Sequence, residues 1–190
     1  LGKALRETLL ALPGLTLFAD GDVKTFDAVL NTVYKNYDRQ LMLGSKQVDS
    51  ALWLFWVAQQ YAQFTGDKKA AWAKFRSKLV AIAETFISGA RMGVTLCENG
   101  LLKAKMNGVA MTWMNAYNSE GIPVTERGGF QVEVNALWYN AIAYLVDMET
   151  QFGSDKRSIQ RWSEIKNQIE ANFYNLFWTD KYHHLADYID

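Results

Sequence analysis

The chain has 190 residues, and its 20 basic and 20 acidic side chains cancel, so no long-range attraction to nucleic acid or to an anionic membrane is expected. That length is enough for one domain with a sizeable core. The apolar runs, such as residues 51–58, fall far short of the ~20 residues that a membrane-spanning helix needs, and the single Cys97 excludes an intrachain disulfide framework.

Apolar residues recur at helical spacing almost throughout. Leu5, Leu9 and Leu12 start the chain already inside a helix, which Pro13-Gly14 interrupts. Phe26, Val29, Leu30, Val33 and Tyr37 mark the face of a second helix. Residues 48–64 are apolar on most sides, as expected of a helix buried between neighbours. Trp72, Phe75, Leu79, Ile82 and Phe86 follow at strict three/four spacing. Residues 93–130 then break the rhythm. Gly93 to Leu96 and Gly100 to Lys105 alternate like a short β-hairpin, and a long polar loop follows. Helical spacing returns near Gln131 with Leu137, Ala141, Tyr144, Leu145 and Met148, and again with Trp162, Ile165, Ile169, Phe173 and Leu176.

Punctuation falls between these units. Gly21-Asp22, Gly66-Asp67 and Gly153-Ser154-Asp155 each pair a glycine for a helix exit with a capping side chain for the next helix. The expected class is all-α, with about six helices joined by short turns. The chain lacks an initiator methionine at Leu1 and ends in a strand-like segment, Leu185 to Asp190, so it reads as a piece truncated at both ends. No targeting segment is visible, and the lone cysteine fits a reducing, cytoplasmic compartment.

The stretch 111–142 is the densest in chemistry: Trp113, Asn115, Glu120, Glu126, Arg127 and Glu133 lie in a loop that runs into a helix. Trp53, Trp56, Trp113 and Trp138 are candidate stacking surfaces for sugar rings; inside an apolar helix, Trp53 and Trp56 read equally well as core. Glycoside hydrolysis needs two carboxyl groups across the scissile bond, and Asp49, Glu120, Glu126 and Glu133 qualify by type. Asp49 and Glu133, near helix starts, also fit simple complementing of the helix dipole. Arg127 suits either a substrate clamp or an ion pair with a nearby acid. His183-His184 is too isolated for a metal site, and no phosphate loop or serine nucleophile elbow is present, so no metal or cofactor is expected.

Ordered motifs along most of the chain resemble the glucosidase domain of glycogen debranching enzymes, the amylo-α-1,6-glucosidase family. Arg6-Glu-Thr-Leu-Leu-Ala-Leu-Pro-Gly-Leu15 is similar to its Gly-Arg-Asp-Thr…Leu-Pro-Gly-Leu segment, and Val48-Asp-Ser-Ala-Leu-Trp53 to its Val-Asp-Ala-Ser-Leu-Trp block. Thr112-Trp-Met-Asn-Ala116 resembles Thr-Trp-Met-Asp-Ala, and Pro123-Val-Thr-Glu-Arg127 resembles Pro-Val-Thr-Pro-Arg. Val132-Glu-Val-Asn-Ala-Leu-Trp-Tyr-Asn140 is similar to Val-Glu-Ile-Asn-Ala-Leu-Trp-Tyr-Asn. The resemblance implies an (α/α)6 toroid of helical hairpins, of which this chain would supply about half, with a long active-site loop and a short β-hairpin. It implies an α-glucan substrate, glycogen or a limit dextrin, and inverting hydrolysis of the α-1,6-linked glucose stub. Arg6, Glu7, Asp49, Trp53, Trp113, Arg127, Glu133 and Trp138 would line or brace the sugar pocket.

The departures are as informative as the matches. Asn115 stands where the family carries its general-acid aspartate, Glu7 replaces the usual aspartate, and residues 38–47 lack the Ile-Pro-Asn-Arg stretch. The family's base lies in a later segment outside this chain, so the piece by itself is expected to be inactive. Two other readings stay open: a catalytically inactive glycan-binding relative, and another (α/α)6 glycosidase such as a trehalase-like enzyme. A terpenoid cyclase would need an Asp-x-Asp-Asp signature, which is missing, and a solenoid array would not need one elaborated loop.

Overall fold

A computed structural model describes residues 5–44 and 46–190. The expected chain start at Leu1, and Ser45 within the divergent stretch 38–47, lie outside the described residues. Six α-helices account for most of the described chain: α1 (Leu5–Leu12), α2 (Val23–Leu43), α3 (Asp49–Thr65), α4 (Lys68–Ile87), α5 (Val132–Phe152) and α6 (Lys156–Phe177). The strands are short: β1 (Val94–Leu96), β2 (Leu102–Ala104), β3 (Phe130–Gln131), β4 (Trp178–Thr179), β5 (His184–Leu185) and β6 (Tyr188–Ile189). The fold is all-α, consistent with a piece of a helical toroid.

The helix boundaries follow from local chemistry. Asp22, Asp67 and Asp155 cap α2, α4 and α6 by accepting the amides of Thr25, Ala70 and Ser158, at 2.9, 2.8 and 3.1 Å. Gly66 closes α3 at φ 68°, a left-handed geometry that glycine adopts without steric cost. One expectation needs correction. Pro13-Gly14 does not break the first helix: Pro13–Phe18 continues from α1 as a π-helical turn. Pro13 falls inside continuous helical backbone, at the point where the hydrogen-bond pattern changes from α to π and accommodates its missing N–H, and the Thr16 hydroxyl donates to the Leu12 carbonyl at 2.5 Å.

Helix α3 is the centre of the molecule. It packs on α1, α4 and α5, which explains a sequence that is apolar on most sides. Helices α3 and α4 form one hairpin and α5 and α6 another, with Trp72, Phe75, Leu79, Ile82 and Phe86 buried between them along with Trp162, Ile165 and Ile169. Phe173 and Leu176, read as part of that same stripe, are only partly buried.

The excursion between α4 and α5 opens with the β1–β2 hairpin in the expected place, pairing Val94 with Ala104 and Leu96 with Leu102. Two buried amides fix it to the helices. Asn135 on α5 accepts from the Leu102 amide at 2.7 Å and donates to the Leu102 carbonyl at 3.0 Å, while Gln131 donates to the carbonyls of Ala104 and Arg127. Gly129 exchanges two backbone hydrogen bonds with Ala104, and the backbone of Ile189 lies so close that no Cβ would fit there. The last residues form the β4–β5 hairpin and then return, β6 pairing antiparallel with β3.

Candidate functional site

An open cleft of about 470 Å³ lies between the N-terminal helices and the polar loop. Leu5 on α1 and Tyr37 and Gln40 on α2 form one wall, and Lys46 and Gln47 follow α2 at its rim. Ala110, Asn115 and Tyr117 form the opposite wall. Asn115, singled out as the general-acid position, therefore lies on the cleft.

Its loop is shaped by short-range hydrogen bonds. The Tyr117 hydroxyl accepts from the Ala110 amide at 3.0 Å. The Asn118 side chain accepts from the amides of Glu120 and Ile122, and Val124 donates to the Ala116 carbonyl, so residues 116–124 form a small turn-closed unit. Trp113 projects outward at 55 % exposure, which leaves an indole face open to a ligand. Glu120 and Glu126 are exposed and lie outside the cleft lining.

Behind the helical wall, Arg6 and Asp49 are both buried and meet in a bidentate pair, with Nε–Oδ2 at 2.6 Å and Nη2–Oδ1 at 2.7 Å. The pair ties α1 to the first turn of α3, whose approach is fixed to the loop by the Val48 amide donating to the Met111 carbonyl at 2.8 Å. Glu7 is largely exposed and comes within 3.6 Å of Arg6. Both Asp49 oxygens are thus engaged by Arg6, and the pair lies outside the cleft lining.

Arg127 and Glu133 form a second node. Buried Arg127 donates to both Glu133 oxygens at 2.6 and 2.8 Å, to the Thr112 hydroxyl at 2.9 Å, and to the Asp187 side chain at 2.8 Å. Burial works against its charge, but the carboxylates of Glu133 and Asp187 outweigh that cost and raise its pKa. Thr112 immediately precedes Trp113, so this node braces the base of the loop.

The tryptophans divide. Trp53 is half-buried and packs edge-on against Trp56 at 5.8 Å. Trp138 is a correction: its side chain has no exposed surface, it packs on Phe86 at 5.4 Å, and its indole N–H donates to the Gly100 carbonyl at 3.1 Å. It belongs to the core in this structure, where a sugar cannot reach it. Its place in a matching motif is explained by holding the hairpin turn against α5.

Sequence reasoning missed Tyr37, Gln40, Lys46 and Gln47. Tyr37 lay on an apolar stripe and read as core, and the others carry no motif. It also missed Arg91. This arginine is 2 % exposed, donates to the carbonyls of Leu41, Met42 and Gln40 at 2.7 to 3.3 Å, and lies 4.2 Å from the Phe86 ring centroid. It closes the C-terminal end of α2, where carbonyls lack partners and a cation is favoured. Burial pushes its pKa down to about 10, which still leaves it charged at neutral pH.

Among the described residues, no group of three or more His, Cys, Asp or Glu is placed to hold a metal ion, and no helix is long and apolar enough to cross a membrane. The fold and site together define an all-α domain of helical hairpins with one elaborated loop beside an open polar cleft. The chain belongs to the amylo-alpha-1,6-glucosidase family, whose model matches residues 5–190. It is thereby a glycogen debranching-type glycosidase domain. No curated protein and no solved structure gives a significant match.

Proposed function

We propose that the cleft receives the α-1,6-linked glucose stub of a trimmed glycogen branch and that the scaffold serves inverting hydrolysis, with Asn115 at the general-acid position. The observation that carries this reading is the position of Asn115 on the cleft wall, within a motif that otherwise matches the family. In that reaction a carboxylic acid protonates the glycosidic oxygen while a second carboxylate, roughly 6.5–9.5 Å away, activates water on the opposite face. Asn115 can donate a hydrogen bond to the glycosidic oxygen but cannot transfer a proton to it. Trp113, two residues before Asn115, offers an exposed stacking face, Arg6–Asp49 ties α1 to α3 behind the helical wall, and Arg127–Glu133 braces the base of the loop.

The amide favours a second reading, glycan binding without turnover. Among the described residues lining the cleft there is no carboxylate to replace the missing acid. The two readings separate on glucose release from a phosphorylase-limit dextrin by the full-length protein and by its Asn115→Asp variant. The variant is expected to raise release by about 10²–10⁴. Equal release by both would remove the acid role from position 115, and release from trehalose in preference to α-1,6 linkages would point to a different glycosidase.

A further inference from the structure

The segment that follows α6 carries none of the matching motifs, yet it reaches the base of the loop that holds position 115. Pairing of β6 with β3 sets Phe130 opposite Ile189 and Gln131 opposite Tyr188. The Val132 amide donates to the Asp187 carbonyl at 3.1 Å, and the missing Cβ of Gly129 lets the Ile189 backbone close over it. Lys105 holds the Asp190 carboxylate at 2.7 Å. The returning chain is thereby strapped across residues 127–132.

Asp187 is where this strap meets the two ends of the loop. Thr112 opens the loop and Arg127 closes it, and the bond from Arg127 Nη1 to the Thr112 hydroxyl, at 2.9 Å, joins those ends. Trp113 is the next residue after that junction, and Asn115 follows two positions later. Glu133 already meets both terminal nitrogens of Arg127, at 2.6 and 2.8 Å, and offsets its charge. Charge balance therefore does not require a second carboxylate. What Asp187 adds is direction: its side chain accepts from Nη2 at 2.8 Å and its own backbone carbonyl accepts from the same nitrogen at 3.0 Å. Two acceptors on a backbone fixed by β3 and Val132 hold the guanidinium plane in the orientation that aims Nη1 at Thr112. With 55 % of its side chain exposed, Asp187 adds little packing, so its effect on the loop separates from any effect on folding.

We propose that Asp187 is a positioning residue for the reaction: through Arg127 and Thr112 it sets where Trp113 and the residue at position 115 stand relative to the sugar. The inference rests on the reading of position 115 as the acid position and adds to it a residue from outside every matching motif. Its oxygen is what matters, because Glu133 supplies the charge.

Hydrogen exchange and kinetics of the full-length protein test it. In Asp187→Ala the Asn115 amide, which donates to the Trp113 carbonyl at 2.9 Å, should exchange about five- to tenfold faster, with α3 unchanged. Asp187→Asn keeps an oxygen for Nη2 and should restore the wild-type rate. In the Asn115→Asp background, Asp187→Ala should lower kcat on a limit dextrin by about ten- to a hundredfold with KM within about threefold, as expected of a displaced acid. Lys105→Gln releases the Asp190 end of the strap and should leave kcat unchanged. An unchanged kcat or exchange rate in Asp187→Ala, an equal loss of kcat in Lys105→Gln, or no rescue by Asp187→Asn overturns the proposal. Faster exchange throughout α3 and α5, the mark of a general loss of stability, overturns it as well. If Asn115→Asp releases no glucose, the acid reading fails, and exchange at residue 115 alone decides whether Asp187 positions the loop.

Discussion

The helical wall of the cleft is anchored by buried cations, whereas the loop wall is held mainly by hydrogen bonds within its own segment. Leu5 on α1 is followed by Arg6, locked to Asp49, and Gln40 on α2 gives its carbonyl to Arg91. Across the cleft, Asn115 sits on backbone outside any regular element, between the Tyr117–Ala110 bond and the unit 116–124. The Arg127 node anchors the loop only at its base, through Thr112. The helical wall is therefore preorganised, and the loop wall is the part that can adjust to a ligand.

The contrast breaks first at the buried pair. Asp49→Ala would leave the Arg6 guanidinium buried without its carboxylate and should cost about 3–5 kcal/mol in urea denaturation. A loss under about 1 kcal/mol would mean that the pair is not what holds α1 to α3. Arg91→Met comes next. It strips donors from the last carbonyls of α2 and should cost about 2–3 kcal/mol, with faster amide exchange near residues 44–47 and unchanged exchange in the middle of α4. Uniform exchange across both regions would show that Arg91 supports the whole core and not the rim of the cleft.

The part of this architecture that was legible in the sequence is the part governed by local rules. Asp22, Asp67 and Asp155 announce helix starts because a carboxylate three residues before a free amide is a short-range device. The Trp72 to Phe86 stripe is equally local. Pro13 misled, because a switch from α to π bonding lets helical backbone run through a proline, and in sequence that proline reads the same as one that breaks a helix. Contacts over long sequence separation were not legible. Arg91 meets carbonyls some fifty positions earlier in the chain, and Arg127 finds Asp187 sixty positions later. Trp138 shows the same limit in reverse: its motif was recognised, but only the hairpin packed against α5 reveals that its indole faces the core.

The loop wall should respond more weakly to perturbation. Tyr117→Phe removes the acceptor of the Ala110 amide and should cost about 1 kcal/mol. Its clearer effect should be a faster exchange of that amide, with the core unaffected. A loss comparable to that of Asp49→Ala would erase the distinction between the two walls.

A third anchor, away from the cleft, asks whether burial or charge makes the helical wall firm. Arg76 on α4 is 41 % exposed at its side chain and holds the buried Glu149 of α5 at 2.7 Å. The Arg76 guanidinium is the largest cause of a lowered Glu149 pKa, helped by the amides of Asp155 and Ser154 and opposed by burial. Because the folded pKa lies below the unfolded value of about 4.5, this stabilisation is fully present above that value and is lost as pH falls through the folded pKa. Arg76→Met should therefore cost about 1 kcal/mol at pH 7, little because solvent screens the exposed guanidinium. The gap between variant and wild type should close as the pH is lowered past about 4 in acid titrations of stability. A gap that persists undiminished at pH 2 would mean that Arg76 contributes through its guanidinium over the Trp72 ring, 6.0 Å from the centroid, and not through the Glu149 charge.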